Sequence, residues 1–140
     1  MVDRDKARRL LNELTACVSD LKRYRDRTTR HELETHRDIQ HMVLRALHVA
    51  AQASVDLAMH LGADAGLPQA ASYQDSFRRL TEAGLIAPDL ADRLAGWAGF
   101  RNVLAHLYAS VDYGRVYDAL GEVGDLERFA AIVSKRIDEG

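Results

Sequence analysis

Residues 88–108 read PDLADRLAGWAGFRNVLAHLY, and the spacing of their side chains decides the fold class. Leu90, Leu94, Trp97, Arg101, Leu104 and Tyr108 follow one another at steps of 4, 3, 4, 3 and 4. That rhythm traces one face of an α-helix, whereas a strand would alternate every second residue. Pro88 suits a first helical turn because its missing N–H is not needed there, and Asp89 complements the positive end of the helix dipole. One member of the face does not belong with the others. Arg101 occupies a core position, and a buried, unpaired guanidinium is nearly excluded by the cost of desolvating it. Arg101 must therefore reach an anion, a cleft or a subunit boundary, with something negative expected nearby.

A second side of this helix is small and polar. Ala95, Gly99, Asn102 and His106 recur at i, i+4, i+7 and i+11, with Ala98 and Ala105 beside them. Small residues admit the close approach of another backbone or a ligand, and Asn102 and His106 are the side chains that project from such a groove. Arg101 and His106 are five residues apart, about 140° around an ideal helix, so one straight helix does not aim both at one point. A distorted helix end, or a second copy of the helix across a dimer, would bring them together.

Outward from this segment the helical pattern continues. Leu10, Leu14, Cys17, Leu21 and Tyr24 predict a first helix over about residues 4–26. Ile39, Val43, Ala46, Ala50, Ala53, Leu57 and Leu61 predict a long second one, with Gly62 placed to end it and a loop over 63–71 that holds Gly66 and Pro68. Ser72 with Asp75 resembles an N-terminal capping box for a short third helix carrying Phe77 and Leu80, and Gly84 is its expected stop. After the fourth helix, residues 111–124 read as a turn and a brief helix interrupted by Gly114 and Gly121. Asp125 is expected to cap a last helix with Leu126, Phe129, Ile132, Val133 and Ile137 facing inward.

The whole chain of 140 residues is 47% hydrophobic, which suits one folded domain over 1–140 and argues against disorder. Two prolines and few aromatic residues favour helix over strand. The start MVDRDKARRLL lacks the apolar run of a signal peptide or membrane span, so a cytoplasmic protein without a membrane partner is expected. Cys17 is the one cysteine and lies on an apolar stripe, which makes it a small buried hydrophobe and no site. The net charge of −2 hides an asymmetry, because residues 1–31 carry nine Lys or Arg against five Asp or Glu, and the remainder ten against sixteen. The basic segment 22–31 would suit phosphates or an acidic partner, or else a solvated helix C-terminus, where the dipole favours cations.

His36, His41, His48 and His60 fall on or beside the long second helix, none with the spacing of a zinc-binding HExxH, and no metal or other cofactor is expected. Asp38, Arg45 and Asp56 share one line of that helix; they either orient Arg101 and line a cleft or form a solvated ion-pair ladder. Trp97, Tyr113 and Tyr117 are read as core and turn residues, with base stacking by Tyr113 the functional alternative.

Arg101, four residues, His106, one residue, Tyr108 resembles the signature of the HEPN superfamily in its HepT-like toxin branch. The segments AQASVDLAMH at 51–60, SYQDSFRRLTEAGLI at 72–86 and VDYGRVYDAL at 111–120 are similar to that branch in order and spacing, and the likeness spans about residues 37–135. The resemblance implies an all-α, up-and-down HEPN-type bundle of five to six helices, homodimeric, with the signatures of both subunits facing one cleft. It implies a metal-independent endoribonuclease toxin in which Arg101 and His106 are catalytic and Asn102 supports them. It further implies a minimal nucleotidyltransferase (MntA-like) antitoxin as partner, which adenylylates the residue at the position of Tyr108. The chemistry agrees with such a site: RNA carries its own nucleophile, imidazole moves protons near neutrality, and a guanidinium fork grips phosphate oxygens. The alternative is a non-enzymatic nucleotide- or phosphate-binding partner or scaffold of a nucleotidyltransferase, in which Arg101 holds a phosphate and nothing is cut.

Overall fold

The structure is a computed structural model and describes residues 3–105 and 110–139. These residues form helices α1 (Arg4–Arg27), α2 (Arg30–Thr35), α3 (Arg37–Asp64), α4 (Tyr73–Glu82), α5 (Pro88–Ala105), α6 (Tyr113–Leu120) and α7 (Gly124–Glu139), with no strand among them. His106 and Tyr108, the second and third members of the signature, lie outside the described residues.

Local hydrogen bonds set the ends of the helices. Asp3 caps α1 by accepting from the Lys6 N–H, and Arg25 and Arg27 stand in its last turn, against its negative end. Four cations of the basic segment have carboxylate partners: Lys22 with Glu127, Arg23 with Asp20, Arg25 with Asp26 and Arg30 with Glu34. These exposed pairs contribute little to stability individually. The helix α2 was not expected, yet Thr29 and Glu32 cap it reciprocally in a full capping box. Gly62 does not end α3. The helix runs two residues further and closes where Gly66 adopts φ 73°, the Leu67 N–H reaching the Gly62 carbonyl at 2.9 Å and the Gly66 N–H that of Ala63 at 3.1 Å. Gly84, at φ 71°, ends α4 by the same bond pair, as expected. Ser72 accepts from the Asp75 N–H, and the Asp75 carboxylate reaches back to the Ala71 N–H rather than to that of Ser72.

Two further expectations are corrected. Gly114 lies within α6 rather than interrupting it, and the Arg30 guanidinium occupies the space that a Cβ there would take. Asp125 is the second residue of α7, not its cap, and is buried with Arg93 at 3.6 Å.

The core is one contiguous cluster around α3, which contacts α1, α2, α4, α5 and α7. All the residues of its predicted face are buried except the half-buried Ile39, and Leu47, Ala51, Ser54, Val55 and Ala58 are buried as well. A helix enclosed on most sides keeps apolar or small residues nearly all round. Cys17 is buried, and desolvation, followed by nearby Glu13 and Asp20, pushes its thiol up to about 11, so it stays protonated and inert. No helix among the described residues is long and apolar enough to cross a membrane.

Phe77 of α4 and Phe129 of α7 meet edge to face, ring centroids 5.5 Å apart and both fully buried. Phe129→Ala removes that ring contact and leaves a cavity, at an expected cost of about 3–5 kcal/mol. Urea unfolding monitored by circular dichroism measures this as a lower midpoint at unchanged slope.

Candidate functional site

Arg101 lies where α5 faces α3 and α4, and its side chain is half-buried rather than sealed in the core. Its Nε donates to Oε1 of Gln52 on α3 at 2.5 Å. The amide of Gln52 in turn donates through Nε2 to Oδ1 of Asp56, one helical turn further on, at 2.9 Å. The guanidinium carbon stands 5.0 Å from the ring centroid of Tyr73 on α4, which covers one face of the cation. Nη1 makes a longer bond, 3.3 Å, to Oδ1 of the exposed Asn102.

The negative group expected beside Arg101 is therefore present only at one remove. Among the described residues no carboxylate pairs with the guanidinium, and Asp56 acts on it through Gln52. Of the acid–base line on the long helix, Asp56 is joined to Arg101 in this way, while Asp38 and Arg45 are exposed. Arg45, His48, Gln52 and Asp56 border a groove of about 220 Å³ between α1 and α3.

Within this group His48 is half-buried, and its Nε2 has no hydrogen-bond partner among the described residues. Burial first, then the nearby charges of Arg101 and Arg45, hold its imidazole below the ordinary value of 6.5. The folded chain thus binds fewer protons here than the unfolded one. The stability this supplies is complete above pH 6.5 and is lost as pH falls below that value toward the folded pKa. By nuclear magnetic resonance, His48 is expected to titrate below the ordinary value of 6.5, and inorganic phosphate bound at Arg101 should move it upward. An unchanged His48 titration at saturating phosphate would show that the anion sits elsewhere.

Part of the small side of α5 is covered within the chain itself. Ala95 and Ala98 are buried within the chain's own core, and at Gly99 a Cβ would come 2.8 Å from Nε2 of Gln74 on α4. α4 packs on α5, and Gln74 is the α4 side chain that lies closest at Gly99. Val103 and Asn102 are exposed on the same helix, Val103 at 59%. Trp97 is buried and edge-on to Phe100, and Tyr113 and Tyr117 pack half-buried against the core. Among the described residues no group of three or more His, Cys, Asp or Glu is arranged to hold a metal ion.

Sequence reasoning missed Gln52 and Tyr73. Gln52 carried one signal, its place four residues before Asp56, the spacing at which an amide and a carboxylate pair on a helix. Its bond to Arg101 spans 49 residues and has no local signature.

A sequence profile of the ribonuclease HepT-like family matches residues 14–134. The fold superposes on the tri-AMPylated Shewanella oneidensis HEPN toxin in complex with MNT antitoxin with a TM-score of 0.82 at 22% identity, covering 96% of this chain and 99% of that one. A toxin–antitoxin structure with AMP-PNP gives 0.84 at 21% identity over 94% of this chain and 98% of that one. YutE, a cytosolic protein of unknown function from Bacillus subtilis, gives 0.83 at 16% identity over 98% of this chain and 92% of that one. At these identities the likeness is one of fold. No curated protein matches the sequence.

Proposed function

The chain belongs to the ribonuclease HepT-like family, and on that premise we propose that it is a metal-independent endoribonuclease toxin that cuts RNA at a homodimer cleft. The observation that carries the reading is the state of Arg101. Its guanidinium is oriented by neutral Gln52 and backed by Tyr73, without a carboxylate to cancel its charge among the described residues. A cation held in this way is suited to an incoming phosphate.

In the proposed reaction the 2′-hydroxyl attacks the adjacent phosphorus. The O2′–P bond forms, the P–O5′ bond breaks, a proton leaves O2′ and another reaches O5′. His106 moves these protons and Arg101 neutralises the charge that builds on the phosphoryl oxygens, with Asn102 in support. The dimer provides two copies of each group. Control is proposed to come from a minimal nucleotidyltransferase antitoxin that adenylylates Tyr108; the solved HEPN toxin described above is AMPylated and bound to its MNT antitoxin.

The direct test is purified protein with total RNA in excess EDTA. Cleavage that leaves 2′,3′-cyclic phosphate or 3′-phosphate ends supports the reading. Binding without cleavage points to the phosphate-binding scaffold instead. Arg101→Lys is expected to reduce cleavage by about a hundredfold, because an ammonium point charge does not reproduce a planar fork at the phosphorane. Near-normal rates in that variant would reduce the role of Arg101 to simple charge.

A further inference from the structure

We propose that Gln52 is a positioning residue, which holds the Arg101 fork by its Nε edge without neutralising it, and that Asp56 serves to lock the Gln52 amide in the required orientation. The inference rests on the reading of Arg101 as the phosphate grip and adds how that grip is kept available.

An arginine side chain offers five N–H donors, and a carboxylate facing two of them would hold it firmly. A carboxylate would also cancel the charge that an incoming phosphate needs. At Arg101 the holding group is an amide oxygen, which accepts from Nε at 2.5 Å and carries no net charge. An amide can turn over and present its NH2 instead, which would repel the guanidinium. Here Nε2 is committed to Asp56 at 2.9 Å, so Oε1 is the atom left facing Arg101. The carboxylate thus stays one residue away from the cation while determining which way the amide points.

The remaining contacts leave the Nη end of the fork exchangeable. Nη1 reaches Asn102 at 3.3 Å, a long bond to an exposed side chain that a phosphate oxygen can replace. Tyr73 covers one face of the guanidinium and supplies no charge. Among the described residues, the charged or titratable groups that border the adjoining groove are Arg45, His48 and Asp56 from α3 and Glu13 from α1. His48 is held toward its neutral form by burial first and then by the charges of Arg101 and Arg45.

The decisive substitution is Gln52→Glu made in an Asp56→Asn background, which keeps the size and the acceptor oxygen at position 52 and moves the negative charge onto the residue that faces Arg101, without setting two carboxylates 2.9 Å apart. A purely structural role predicts a protein as good as the wild type, since the new ion pair holds Arg101 at least as well. The positioning role predicts that the Arg101 Nε–H resonance and the melting temperature are retained, while a 2′-O-methyl RNA, which binds but lacks the nucleophile, binds about tenfold to a hundredfold more weakly. Gln52→Leu should instead lose the protected Nε–H signal and lower kcat more than it raises KM. Asp56→Ala should broaden that signal by freeing the amide. The signal is assigned by its absence in Arg101→Lys. If the wild type binds and cuts RNA while Gln52→Glu in the Asp56→Asn background binds the methylated RNA equally well, the proposal is overturned and the phosphate-grip reading stands. A wild type that binds no methylated RNA and cuts none removes both.

Discussion

His106→Ala is expected to abolish RNA cleavage, lowering the rate by about a hundred- to ten-thousandfold, with the helical content unchanged. Among the signature residues only His106 has a side chain that ordinarily exchanges its proton between pH 5 and 8. The proposed reaction must take a proton from the 2′-hydroxyl and deliver one to the leaving O5′, and positioned acid–base groups contribute rate factors of that size. Because the nucleophile belongs to the RNA, no metal-bound water is called for, and wild-type cleavage should continue in EDTA. The measurement is single-turnover cleavage of a labelled RNA by wild type and variant, with circular dichroism as the fold control. Cleavage by His106→Ala at a tenth of the wild-type rate or more would assign the proton transfers to another group.

Adenylylation of Tyr108 is expected to silence the protein to a comparable degree. A phenol with an ordinary pKa near 10 is a poor base at neutrality, so Tyr108 is better suited to be modified than to catalyse. It follows Arg101 by seven residues in the sequence, a spacing that returns to nearly the same side of an ideal helix. Each added AMP brings a negative phosphate and a bulky nucleoside, which would compete with RNA phosphate for Arg101. The check is incubation with the cognate transferase, ATP and Mg²⁺, followed by peptide mass spectrometry and the cleavage assay. AMP on Tyr108 with loss of cleavage is the expected result. Tyr108→Phe that is still silenced by the transferase would place the inhibition in a different contact.

The two strongest expectations differ in origin from the geometry around Arg101. His106 and Tyr108 were named from the residue pattern alone, and they lie outside the described residues, so their roles rest on that pattern and on the chemistry it suits. Arg101 was singled out because it broke an otherwise apolar stripe. The structure gives that oddity a physical resolution: the guanidinium is half-buried and hydrogen-bonded, so it is not fully desolvated, and among the described residues it has no ion pair.

What the residue order alone determined is the set of features that close within one or two helical turns. The apolar rhythms of α1, α3, α5 and α7, the Ser72 cap, the Gly84 stop and the start at Pro88 are such features, because each depends on side chains or backbone groups three to five residues apart. The Thr29 and Glu32 box that opens α2 was equally local and equally readable. Gly62 illustrates the limit: a glycine permits a helix to stop, and only the chain's path selected Gly66 for the left-handed turn. The tertiary structure alone decided which surfaces meet. It set Gln74 of α4 against Gly99 of α5, buried Asp125 beside Arg93, set Arg30 against Gly114, and brought Gln52 and Asp56 to Arg101. These pairings join residues far apart in the chain, and their energies depend on the helix packing that creates them, so no spacing within a single helix could have announced them.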